Sequence, residues 1–143
     1  MSSKLLLRVA ATMMFLHTIG HSIGALTWKN APNPAVGQVI RGMEDNHFDF
    51  MGKSASLASF FEGYGLTMIL VLISITLILW FVSGEAKTPF TTRLLGVLAV
   101  FLFAMAIVEF VYFFPLPGVL SSIAGICTLV ARFRIKTSGH SQV

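Results

Sequence analysis

Apolar positions in this chain fall into four runs of membrane length, each closed by polar, proline or glycine punctuation. The first, Leu5–Trp28 (LLLRVAATMMFLHTIGHSIGALTW), predicts a spanning helix. The second, about Leu57–Ser83, is nearly pure lipid filler after its first turns, which carry Phe60, Phe61, Glu62, Gly63, Tyr64 and Gly65. The third, about Arg93–Phe114, holds Glu109 inside LFAMAIVEFVYFF, and the fourth covers about 116–133. Between the first two runs, QVIRGMEDNHFDFMGKSAS (38–56) mixes charge with Val39, Ile40, Met43, Phe48, Phe50 and Met51. That mixture predicts a long loop, partly helical, lying over the helices. Pro89 is read as stopping any helix through the second loop, SGEAKTPFTT (83–92). The tail, 134–143, is expected to be disordered and polar.

The pattern predicts an all-α integral membrane protein, a four-helix transmembrane bundle forming one domain over 1–133. Composition agrees. Of 143 residues, 55% are hydrophobic and only 11% charged, against about 25% charged in a soluble domain. Mean hydropathy is +0.82. The pI near 9.7 does not imply nucleic acid, because the basic residues stand at the ends of the apolar runs. Lys4 and Arg8 before an apolar run imitate a signal peptide, but no A-x-A cleavage site follows, so a retained helix is expected. The single Cys127 excludes an intrachain disulfide and reads as a buried, inert thiol.

Charge also sets an expected orientation. With four spans, seven of the ten basic residues share one side: Lys4, Arg8, Lys87, Arg93, Arg132, Arg134 and Lys136. The positive-inside rule puts both termini in the cytoplasm and the long first loop outside. His17 and His21, four apart, share one helix face with Ala10, Met13, Met14, Gly20 and Gly24. The two glycines on that face are expected to let another helix approach. On this topology His17, His21, Glu62 and Glu109 all fall in the outer half of the membrane. Tyr64 and Tyr112 stand at the same level, and His47 and Asp49 in the loop above.

A charge in a bilayer costs at least ~2.5–3.5 kcal/mol, so this set must pair, protonate or bind something. Pairs of His17 or His21 with Glu109 are both geometrically open. One reading is a site for a membrane lipid or apolar small molecule, with His17, His21, Tyr64, Tyr112, His47 and Asp49 as binding residues. A second is a proton-transfer enzyme of the isomerase type, with Glu109 or Glu62 as acid and base. A third is a divalent metal held by His17, His21 and Glu109. The fourth is an accessory bundle glued by His–Glu hydrogen bonds, joined to a partner subunit or a second copy. HExxH is absent, since residues 18–20 are Thr-Ile-Gly, which argues against a zinc protease. Two histidines on one helix face do not ligate opposite sides of one haem. Without a repeat or a broken helix, a transporter is not expected.

At HTIGHSIG (17–24), FDFMG (48–52), FFEGYGL (60–66) and YFFPLP (112–117) the chain resembles an uncharacterised family of short four-helix bacterial membrane proteins. The resemblance implies the topology and a bacterial inner-membrane location, and brings no activity with it. A looser similarity is to the sterol-isomerase and sigma-2-receptor group, whose members also carry acidic residues in an intramembrane pocket.

Overall fold

The computed structural model describes residues 1–85 and 88–138. Five helices follow one another: α1 (Ser3–Thr27), α2 (Pro34–Asp45), α3 (Leu57–Val82), α4 (Pro89–Tyr112) and α5 (Pro115–Ser138). Two short strands, β1 (His47–Phe50) and β2 (Lys53–Ser56), stand between α2 and α3. Among the described residues, α1, α3, α4 and α5 are long and apolar enough to cross a membrane. The chain is an integral membrane protein on that ground.

Prolines open three of the helices. Asn33 caps α2 by accepting from the Val36 N–H at 3.0 Å, with Pro34 at the first helical position. Thr88 does the same for α4 through the Thr91 N–H at 3.1 Å, with Pro89 following. Pro115 begins α5. A helix leaves its first N–H groups without carbonyl partners, so a proline there removes nothing the helix uses. Pro89 therefore starts α4 four residues before the expected Arg93, where the sequence reading took it as a stop. At the other end, α5 continues through Ser138, past the expected limit at Phe133. The remainder of the expected tail, 139–143, lies outside the described residues, as does Lys87.

Over 38–56, where a partly helical loop is expected, α2 supplies helix up to Asp45 and the rest forms a hairpin. His47–Phe50 and Lys53–Ser56 pair antiparallel, with His47 opposite Ser56 and Phe50 opposite Lys53. Met51 (φ 53°) and Gly52 (φ 79°) form the two-residue turn. Positive φ at both positions suits the right-handed twist of a hairpin. Glycine adopts it freely, whereas Met51 does so at a cost of about 1–2 kcal/mol. Met51-Gly52 lacks the Asn or Asp that usually announces such a turn, so the apolar residues look helical in the sequence.

The chain divides into two compact units, residues 1–18 with 72–143, and residues 19–71. In the first, each helix contributes a stripe of buried positions at helical spacing. On α1 these are Leu7, Ala10, Met14 and His17; on α4, Leu95, Leu98, Leu102, Ala106 and Glu109. Helix α5 buries Gly118, Ser121, Ala124, Thr128 and Ala131. Glycines seat aromatic rings between α4 and α5: a Cβ on Gly118 would meet the Phe110 ring at 2.9 Å, and one on Gly125 the Phe103 ring at 3.2 Å.

In the second unit the close helix approach is at Gly65, where a Cβ would meet that of Ala25 at 3.2 Å. Gly20 and Gly24 do not play the expected part. Both are exposed, and a Cβ on either would touch nothing.

Candidate functional site

Stripe periodicity explains why three polar side chains meet in the first unit. Glu109 stands one helical step beyond Ala106, Ser121 one step beyond Gly118, and His17 one step beyond Met14. Each occupies a position that its helix buries. Glu109 and His17 are each 6% exposed and Ser121 is fully buried. His17 Nε2 stands 3.4 Å from Glu109 Oε1. On the other side of the ring, Nδ1 stands 3.3 Å from Ser121 Oγ. Three helices thus supply a Glu109–His17–Ser121 chain, in which the imidazole links the carboxyl to the hydroxyl.

Two proton arrangements satisfy this chain. With Glu109 ionised, His17 donates from Nε2 and the Ser121 hydroxyl donates to a bare Nδ1. With Glu109 protonated, its O–H donates to Nε2, and Nδ1–H donates to the Ser121 oxygen. The separation of 3.4 Å is long against the roughly 2.7–2.9 Å of a closed charge-assisted bond. Ser121 also lies within reach of the Glu109 carboxyl, but the second carboxyl oxygen, Oε2, is buried without a closed hydrogen bond. Among the described residues it is the one buried side-chain oxygen or nitrogen left so. Thr12, Thr18, Thr76 and Thr128 all donate to the carbonyl four residues back. An orphaned carboxyl oxygen in apolar surroundings costs about 1–3 kcal/mol.

Arginines in the same unit are also provided for. The Arg8 guanidinium lies 3.4 Å from the centre of the Trp80 ring, and its Nε donates to Ser83 Oγ at 2.6 Å. Arg132 Nε donates to the Thr92 carbonyl at 3.2 Å.

The second unit carries a different cluster. Lys29 Nζ stands 2.8 Å from both Glu44 of α2 and Glu62 of α3. The lysine side chain is 48% exposed and the glutamates 36% and 44%. The two carboxylates, Glu44 foremost, hold the Lys29 ammonium above its ordinary pKa range. Trp28 packs on Phe61 at a tilt of 50°, with ring centres 4.8 Å apart, and Lys29 Nζ is 5.6 Å from the Trp28 ring.

The expected site residues therefore take separate roles. His17 and Glu109 meet. His21 Nε2 faces the Gly65 carbonyl at 3.2 Å, and the missing Gly65 side chain accompanies the close approach of α1 there. Glu62 is held by Lys29. Tyr64 and Tyr112 are 73% and 77% exposed. His47 makes a local contact with the Asp45 carbonyl at 3.2 Å, and Asp49 lies exposed on β1 opposite Ser54. Among the described residues, no three His, Cys, Asp or Glu side chains gather as a metal ion would require. Sequence reasoning misses Ser121, Lys29 and Glu44 as partners. For Ser121 the signal is present, in the small-residue stripe Gly118, Ser121, Ala124 and Gly125 of an otherwise bulky run.

No family model, curated protein or solved structure matches the chain.

Proposed function

We propose that this integral membrane protein binds a lipid or an apolar small molecule, and that Glu109 Oε2 is the group that meets the ligand. The observation that carries the reading is the partnerless burial of that oxygen, within a chain whose other members are His17 and Ser121. A ligand with an apolar body and one hydroxyl or amine would satisfy Oε2 and remain compatible with the apolar composition of these helices. A second reading, proton transfer on such a ligand, is favoured by the link from Glu109 through His17 to Ser121, which gives a proton two resting arrangements.

The proposed setting is a bacterial inner membrane with both termini cytoplasmic. Lys4, Arg8, Arg93, Arg132 and Arg134 support that orientation, against Lys29, Arg41 and Lys53 in the segment from α1 to α3.

The test is native mass spectrometry of protein extracted in mild detergent. Wild-type protein is expected to retain one lipid-sized mass per chain, and Glu109→Gln to lose it at least tenfold. Ser121→Ala, a smaller change, is expected to weaken retention while keeping the fold. Bare wild-type protein, or retention unchanged in Glu109→Gln, would overturn the reading.

A further inference from the structure

The hairpin between α2 and α3 places an apolar residue where local chemistry disfavours one. Met51 occupies the first position of the turn with φ 53°, and it is 93% exposed. Asn, Asp or Gly would adopt that backbone more readily and would suit water better. Phe50 beside it is 50% exposed and Phe48 is 41% exposed.

The direction of the hairpin indicates what surrounds the tip. Phe48 and Phe50 lie two apart on one strand and share a face. Both pack on Phe60, at ring-centre distances of 6.2 Å and 5.4 Å. Phe50 is the last residue of β1, next to the turn, so the tip end of the hairpin also reaches the α3 side chain. A hairpin projecting away from α3 would leave Phe50 far from it. Ser56 passes into Leu57 with no linker, and Phe60 lies in the first turn of a membrane-length helix. The next residue, Phe61, packs at a tilt on Trp28 just beyond the end of α1. Trp28, Phe60 and Phe61 therefore form an aromatic belt at the ends of two spans, the level of the lipid headgroups. The apolar face of the hairpin is continuous with that belt.

We infer that the Phe50–Met51 tip of this hairpin inserts into the headgroup layer of the membrane that α3 enters, with exposed Lys53 beside it for the lipid phosphates. This covers Met51 with the apolar edge of the bilayer and leaves Asp49, which alternates to the opposite face of β1, toward water. A lysine on a long apolar stem suits the same boundary.

Site-directed spin labelling tests the placement. Met51→Cys and Asp49→Cys are made separately in a Cys127→Ser background, and the full chain is reconstituted in vesicles of phosphatidylethanolamine and phosphatidylglycerol. Both positions are exposed, so a label perturbs little. Expected is an accessibility ratio of oxygen to a water-soluble nickel chelate severalfold higher at 51 than at 49. Equal, nickel-dominated ratios would put the tip in water and overturn the inference. Dipolar broadening between labels at 51 would overturn it too, by assigning the tip to a second copy of the chain.

Discussion

Two ionic clusters in this protein use similar partners and differ in surroundings. In the unit of residues 1–18 and 72–143, His17 and Glu109 meet at 3.4 Å, each 6% exposed, and one carboxyl oxygen has no partner. In the unit of residues 19–71, Lys29 meets Glu44 and Glu62 at 2.8 Å with all three side chains more than a third exposed. The exposed cluster has shorter contacts and one lysine between two carboxylates, yet solvent screening leaves it little energetic weight. The buried cluster is looser and incomplete, and each missing partner there is costly. Short distance therefore marks good geometry, and an unsatisfied buried atom marks a place where something else belongs.

Removing one partner from the buried cluster should have the larger effect. His17→Leu takes the imidazole from Glu109 Oε1 and from Ser121 Oγ, so a loss of about 1–3 kcal/mol is expected in detergent thermal unfolding. The double variant His17→Leu/Glu109→Leu should recover most of that loss, because no buried carboxyl is left over and the Ser121 hydroxyl can turn to its own helix backbone. A double variant as unstable as the sum of the singles would show that the pair is not coupled.

Lys29→Met should have a smaller effect, one that disappears at high salt, read as hydrogen exchange in α2. Its pH dependence has a defined sign. A lysine whose folded-state pKa is raised stabilises fully below its ordinary value of 10.5, and that contribution is lost as pH rises through the higher folded value. Protection of the α2 amides in the wild type, after correction for the base catalysis of exchange itself, should therefore hold through neutral pH and fall only in strong alkali. Protection lost near neutrality would break the assignment of Lys29 as the clasp.

Much of this was legible in the sequence, for physical reasons. Membrane-length apolar runs are set by bilayer thickness, so the four long helices could be read directly. Glu109 and His17 stood out because ionisable groups are rare in such runs. What escaped depended on contacts far apart in the chain or on backbone conformation. Ser121 is 104 residues from His17, and a serine in a helix ordinarily satisfies itself on its own backbone. The hairpin turn at Met51-Gly52 carries one glycine and no asparagine, so nothing local sets it apart from the helical part of the loop. Pro89 could be read as a stop or as a first residue, and Thr88 before it, a good cap, was the signal for the second. Gly20 and Gly24 were read as a packing face because small residues permit close approach; Gly65 is where the approach occurs.

On the proposed reading, an apolar molecule reaches the Glu109 carboxyl while water-borne groups meet Glu44 and Glu62. Dicyclohexylcarbodiimide, an apolar carboxyl reagent, tests it most directly when compared with a water-soluble carbodiimide on the folded protein at mildly acidic pH, with sites mapped by peptide mass spectrometry. The account predicts that the apolar reagent modifies Glu109 after exhaustive delipidation and far less in gently extracted protein. The soluble reagent should modify Glu44 and Glu62 in both preparations. A Glu109 left unmodified by the apolar reagent in delipidated, folded protein would contradict the account and make the His17–Glu109–Ser121 chain a sealed structural contact.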